Sequence, residues 1–279
     1  MKKVICVLSG GSAKGAAHVG AIRALQDWDL RPSHYVGTSI GAVVGACFAS
    51  GLSYEEVLRR ISTVTRRDVA VLSPRAVLGV FATSLFRGRA WRETIETLVP
   101  AESFDELETP LTVAAVDGES GDLVLFGAGG RSHVALADAL YASCALPLYY
   151  PPARIDDHLY LDGGLRAVFP LDVAAQFGPD LIFGVNVGPL LYTAPPVDET
   201  PPPGLLGAHR RAMRIMMGAQ SEEVIGRWKR ERPEDLVLVQ PSIRGRATFS
   251  LDKVVEYVEK GYRAAQRALS DWEDGPSAA

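Results

Sequence analysis

The stretch VICVLSGGSAKGAAHVGAIRALQDW, residues 4–28, decides the fold class. Val4 to Leu8 is an unbroken apolar run of strand length, and Gly10-Gly11 ends it. From residue 16 to 28 the apolar residues Val19, Ile22 and Leu25 recur at helical spacing. Strand, tight loop and helix form the opening unit of an α/β protein. The unit then repeats, with residues 35–37 as a second short strand and residues 40–49 as a helix of small residues able to pack closely. Ser53-Tyr54-Glu55-Glu56 has the form of a capping box and predicts a further helix to about Ser62.

Farther along, residues 111–116 and 123–126 read as strands joined by the turn-rich Asp117-Gly118-Glu119-Ser120-Gly121. A helix is expected over 132–142, a second hairpin over 155–161 around Asp156-Asp157, and a short helix opened by Pro170. Residues 181–187 form a fully apolar strand of the kind buried in mid-sheet. Residues 66–88 are apolar but interrupted by Pro74, Gly79 and Arg87-Gly88, which suits a lid or an interfacial flap. Pro195-Pro196 and Pro201-Pro202-Pro203 make 189–204 the only linker-like segment. Beyond it, Leu205, Leu206, Met213, Met216 and Met217 alternate with His209, Arg210, Arg211 and Arg214. This is a basic amphipathic helix, for which packing on the core is the first reading and a membrane surface the second. A strand at 236–239 and an amphipathic helix at 251–269 follow. No repeat is evident, so one domain over 1–279 is expected, with a motif-bearing core at about 4–188 and residues 205–271 packed on it.

With 279 residues, 47% hydrophobic, 22% charged and a net charge of -4, the chain has the balance of a globular protein, which excludes disorder, collagen and coiled coils. It lacks the basic footprint or zinc-finger spacing of a nucleic-acid binder. Cys6, Cys47 and Cys144 lie far apart in apolar surroundings and read as buried thiols in a reducing compartment. The apolar run after Met1-Lys2-Lys3 is too short for a signal peptide. Residues 35–54 are uncharged, but glycines break them, so a cytoplasmic protein is expected.

Gly37-Thr38-Ser39-Ile40-Gly41, between a strand and a helix, has the context of a G-x-S-x-G nucleophile elbow, which would expose the Ser39 hydroxyl at a helix N-terminus. An ordinary helix cap would fit the same five residues. Gly10-Gly11-Ser12-Ala13-Lys14-Gly15 adds a second anion-stabilising loop, an oxyanion hole or a phosphate site. Lys14 precedes Gly15, contrary to a Walker A loop, and no G-x-G-x-x-G occurs. The candidate bases include His18, His34, His133, His158 and His209. Only His209 follows Asp162, as α/β-hydrolase order would require, and it falls in the basic helix, where a solvated face is expected. Asp162 remains, ending an apolar strand before Gly163-Gly164, although Asp-Gly is also a hairpin signature. A carboxylate of pKa about 3.9 is a weak base for a serine. A Ser-Asp dyad therefore predicts direct contact and an apolar pocket, with residues 145–152 (ALPLYYPP) as its wall.

In order and spacing, GGSAKG at 10–15, GTSIG at 37–41 and Asp162-Gly163-Gly164 resemble the patatin-like phospholipase family. The likeness continues through AHVG at 17–20, ASCALP at 142–147 and residues 236–269. The resemblance implies a three-layer α/β/α sandwich with a mainly parallel central sheet. It implies a lipid acyl hydrolase of phospholipase A, lysophospholipase or carboxylesterase type. By the same resemblance Ser39 is the nucleophile, Asp162 the base, and the backbone N–H groups of Gly10 and Gly11 the oxyanion hole. Lys14 and His18 are candidates for positioning substrate. An acyl-lipid or other ester is the expected substrate, with peripheral membrane contact around 74–90 and 205–217, and with no cofactor, metal or nucleic acid. Two departures stand out. Lys14 replaces the more usual Arg, and Leu165-Arg166-Ala167-Val168-Phe169-Pro170 follows the Asp-Gly-Gly where many members carry an Asn-rich turn. The alternatives are a non-catalytic regulator or acyl-lipid sensor on the same scaffold, and an acyltransferase.

Overall fold

The computed structural model describes residues 2–74, 84–191, 204–243 and 253–275. Its elements are β1 (Val4–Leu8), α1 (Ala16–Asp27), β2 (Pro32–Thr38), α2 (Ile40–Ala49), α3 (Tyr54–Thr63), α4 (Arg66–Val69), α5 (Gly88–Leu98), β3 (Leu111–Asp117) and β4 (Leu123–Gly127). Then come α6 (Leu136–Cys144), β5 (Ala153–Ile155), β6 (His158–Asp162), α7 (Gly164–Ala167), α8 (Leu171–Ala175), β7 (Leu181–Val185), α9 (Leu205–Glu231), β8 (Leu236–Val239) and α10 (Val254–Glu273).

The layers follow from the pleat of β1. Its side chains point alternately to two faces, and both are covered. Val4, Cys6 and Leu8 join the larger core with residues of α1, α2, α5, α6 and α10, whereas Ile5 and Val7 meet Phe169 and Leu171 near α8 and Ile225 and Trp228 of α9. The result is a three-layer α/β/α sandwich. Its eight-stranded sheet runs β5-β6-β3-β2-β1-β7-β8, with β4 also paired to β3. The strands from β3 through β2, β1 and β7 to β8 are parallel. β4 and β6 are antiparallel to β3, and β5 to β6. The sheet is therefore mixed: parallel where the motif-bearing units lie, antiparallel where the two hairpins close.

This pairing fixes the place of the chemistry. Along one edge β3 carries β4; along the other, Ala114 pairs with Thr38 of β2 and Ala115 with Asp162 of β6. Since β2 is parallel and β6 antiparallel to β3, the two strands meet head to head, and both C-terminal ends converge at adjacent residues of β3.

Sequence boundaries mostly hold, and α3 has the expected capping box, with Ser53 and Glu56 bonded reciprocally. α6 begins later than expected, at Leu136, whose N–H donates to Glu102 O. α9 runs far beyond residue 217, because Ser221, Ile225 and Trp228 give its second half a buried face. Residues 75–83 of the expected flap and 192–203 of the Pro-rich stretch lie outside the described residues. The flap's two ends are joined by a bridge between Leu72 and Phe86. Among the described residues no helix is long and apolar enough to cross a membrane.

Candidate active site

β2 feeds directly into the elbow. Ser39 has φ 55 and ψ -129, a strained conformation for a residue with a Cβ, and its side chain makes no capping bond to α2. Its Oγ is therefore free for other partners. The turn is pressed against β1: a Cβ on Gly41 would lie 2.3 Å from Leu8 O, and one on Gly37 2.6 Å from Ala42 N. The strain is held by Ser143, whose Oγ accepts the Ser39 N–H at 2.7 Å and donates to Ala114 O at 2.6 Å. Sequence reasoning gave Ser143 no role. Its signal was a hydroxyl within the apolar end of α6.

Ser39 Oγ donates to Asp162 Oδ2 at 2.9 Å, while Asp162 Oδ1 accepts the Gly164 N–H at 2.7 Å. Asp162 is 4% exposed. Its desolvation raises the pKa to about 7, against the opposing pull of the Gly164 amide and the Ser39 hydroxyl. A carboxylate too weak a base in water becomes one matched to neutral pH. Beside the pair lies Cys144, whose thiol burial pushes up and keeps protonated.

Ser39 and Asp162 open into a cavity of about 130 Å³ walled by Val44, Trp91, Leu98, Leu146, Tyr149 and Tyr150, among others. A dry apolar cavity of ~150 Å³ accepts a benzene-sized ligand. The expected wall at 145–152 thus supplies Leu146, Tyr149 and Tyr150. Leu85 and Phe86 donate their N–H groups to Leu148 and Tyr149, tying one end of the 66–88 segment to that wall.

The glycine loop resolves differently from expectation. A Cβ on Gly10 would stand 3.4 Å from Ser39 Cβ, so the loop does abut the elbow. Gly10 N–H, however, donates to Val168 O at 2.9 Å and is already engaged. Among the described residues the Gly11 N–H has no such partner. Lys14 lies on the 3₁₀ turn Ser12–Gly15, half-buried; Ser12 and Ala13 of that turn line the cavity and Lys14 does not. His18 cannot position substrate. It is fully buried, and its Nε2–H donates to Ser9 O at 2.9 Å. Burial lowers its pKa to about 4, so the ring is neutral. His209 is not on a solvated face: it is half-buried, its ring centroid 6.2 Å from that of Tyr149, because the start of α9 packs beside the cavity wall. His34 is bound to Thr112 Oγ1 at 2.8 Å and His158 lies 3.6 Å from Asp117; no histidine lines the cavity.

The family described as Patatin-like phospholipase matches residues 6–175. The rat protein called Patatin-like phospholipase domain-containing protein 7 is 30% identical over 187 residues, covering 66% of this chain and 14% of its own length. An uncharacterized NTE family protein of Mycobacterium tuberculosis is 29% identical over 186 residues, covering 66% of this chain and 49% of its own. The chain thus spans half or less of the length of these relatives. Among solved structures, VipD from Legionella pneumophila superposes with a TM-score of 0.51 at 14% identity, over 97% of this chain and 67% of that one. That likeness is one of fold.

Proposed function

The chain belongs to the patatin-like phospholipase family, and from that premise we propose that it hydrolyses carboxylic esters of acyl lipids through a Ser39-Asp162 dyad. The observation that carries the reading is the 2.9 Å hydrogen bond from Ser39 Oγ to Asp162 Oδ2 at an apolar cavity. Ser39 Oγ attacks the ester carbonyl carbon while its proton passes to Asp162. The carbonyl oxygen becomes an oxyanion facing the Gly11 N–H and the positive end of α2. As the tetrahedral adduct collapses, Asp162 returns the proton to the leaving alcohol, and the acyl group stays on Ser39. Water then repeats the sequence: Asp162 takes its proton, the carboxylic acid leaves, and Ser39 is regenerated. The apolar walls hold the acyl chain and shelter the carboxylate from water, which is what keeps its basicity high.

The substrate is met at a lipid surface. Leu205, Ile215 and Met216 of α9 are 79%, 49% and 55% exposed. Arg210, Arg211 and Arg214 lie among them, and no acidic residue occurs from Leu205 to Ser221 in a chain of net charge -4. Basic and apolar residues together fit an anionic lipid surface. Leu72, 67% exposed, flanks the same wall, since Tyr150 Oη donates to Val69 O nearby. Cys6, Cys47 and Cys144, all free and buried, support a reducing, cytoplasmic setting.

Labelling of the full chain with a fluorophosphonate probe, followed by peptide mapping, tests the dyad. Modification confined to Ser39 and lost in Ser39→Ala is expected, with ester hydrolysis lost in parallel. Labelling elsewhere, or hydrolysis surviving in Ser39→Ala, refutes the assignment.

A further inference from the structure

Ser9 directly follows β1 and leads into the glycine loop, and every polar atom it has is committed. Its N–H donates to Val185 O at 3.1 Å and its carbonyl accepts from His18 Nε2 at 2.9 Å. Its hydroxyl accepts the Val187 N–H at 2.9 Å and donates to Gly10 O at 3.0 Å. The residue is 0% exposed. Two successive peptide groups are thereby fixed. The Ser9–Gly10 peptide is held at both ends, by His18 on its carbonyl and by Val168 O on its N–H. The Gly10–Gly11 peptide is held at its carbonyl alone. In a trans peptide the C=O and N–H point in opposite directions, and no cis bond occurs among the described residues. Anchoring Gly10 O to the Ser9 hydroxyl therefore turns the Gly11 N–H away from the protein interior.

We propose that Ser9 is a positioning residue of the oxyanion hole: its hydroxyl orients and polarises the Gly10–Gly11 peptide so that the Gly11 N–H stabilises the oxyanion formed on attack by Ser39. The inference rests on the hydrolase reading above and deepens it. Val187 N–H, Ser9 Oγ–H, Gly10 C=O and Gly11 N–H form a chain in which each bond strengthens the next. A carbonyl that accepts a hydrogen bond leaves its own peptide N–H a better donor. The donor is also fixed before reaction, so no reorganisation is required when charge develops. His18, neutral and buried, clamps the preceding peptide and keeps the chain in register.

The test is kinetic. Removing an oxyanion donor outright costs about 10²–10³ in kcat, and Ser9→Ala only loosens one, so a fall of about tenfold or more is expected with p-nitrophenyl butyrate, KM changing less than about twofold. Affinity for a trifluoromethyl ketone, which forms a tetrahedral oxyanion on the serine, falls by the same factor, and Ser9→Thr, which keeps the hydroxyl, restores both. A Ser9→Ala enzyme with wild-type kcat, or one whose loss lies in KM with ketone affinity unchanged, overturns the proposal. If Ser9→Ala does not fold, the wild type decides. On forming a phosphonate adduct, the Gly11 amide proton moves downfield by NMR and that of Gly10 does not; an unmoved Gly11 overturns the proposal. A wild type inert to both ester and fluorophosphonate refutes the hydrolase reading and this inference together, whereas an active wild type with an unaffected Ser9→Ala refutes this inference alone.

Discussion

At the scale of single residues, the site turns on one buried carboxyl group. Asp162 binds its proton more tightly in the folded chain, with a pKa near 7, than in the unfolded one, where the ordinary value is 3.8. Two consequences follow with opposite signs. Activity needs the ionised form, so kcat/KM for a neutral ester rises with pH and levels off above a midpoint near 7. Stability behaves in reverse. Between pH 4 and 7 the folded state holds more protons than the unfolded, so ionising Asp162 costs stability as pH rises through that window. Asp162→Asn should cut turnover by roughly 10²–10⁴. Above pH 7 it should also be more stable than wild type, by on the order of a few kcal/mol, and the difference should vanish near pH 4. His18 and His34, both lowered to about 4 by burial, give the opposite slope between pH 4 and 6.5. The difference between variant and wild-type melting curves is therefore the diagnostic, and a stabilisation over wild type no larger at pH 8 than at pH 4 contradicts it. Ser39 and Asp162 were legible because glycines mark both turns and because chain order left a triad no usable histidine. Ser9 and Ser143 were not: a buried serine announces itself only through its partners, and the decisive ones, Val187 just past β7 and Ala114 of β3, are far off in sequence.

At the scale of elements, short periodic segments were the most legible and α9 the least. Its first half alternates basic and apolar residues and packs only partly, through Gly207, Leu206 and His209, whereas past Gly218 a regular buried face begins. The helix thus serves two surroundings in turn: Ser221, Ile225 and Trp228 are buried, whereas Ile215 and Met216 are exposed. The core-packing reading fits the second half, and lipid docking is the proposal for the first. If the exposed half docks on lipid, Ile215→Asp with Met216→Asp removes two apolar side chains from the membrane and should weaken sedimentation with vesicles at least about tenfold. Wild type should bind phosphatidylcholine vesicles more strongly once phosphatidylglycerol is included, owing to Arg210, Arg211 and Arg214. Hydrolysis of a soluble butyrate ester should be unchanged, because neither substituted residue lines the cavity. Equal vesicle binding by variant and wild type would remove α9 as the docking element while leaving the dyad untouched.

At the scale of the whole molecule, the match to the family ends at residue 175, yet the sheet does not. β7 lies between β1 and β8 in the parallel half, so the central strand of the fold borrows a neighbour from beyond the matched region. α10 comes from farther still and crosses α1 at backbone distance: a Cβ on Gly20 would lie 1.8 Å from Val258 O, and one on Gly261 1.9 Å from Ala17 O. Neither contact can relax by rotating a side chain, because the obstacles are carbonyls. The crossing also reaches the site, since α1 follows the glycine loop and Val254 of α10 lines the cavity. The sequence showed an amphipathic helix at 251–269 but not its partner, because two glycines nearly the length of the chain apart reveal their meeting only in the fold. We therefore propose that the chain folds as one unit, with its C-terminal helix a structural part of the acyl site. Gly261→Ala should destabilise by ~3 kcal/mol, lowering Tm by roughly 5–10 °C, and should reduce ester hydrolysis through displacement of α1. Gly226→Ala supplies the contrast, its added Cβ meeting only the flexible end of Arg230 at 3.4 Å. In mid-helix it should gain up to about 1 kcal/mol. Were Gly261→Ala to melt with wild type, α10 would be an accessory laid on a self-sufficient core, and a chain ending after Ile243, which keeps α9 and β8, would then fold and hydrolyse esters unaided.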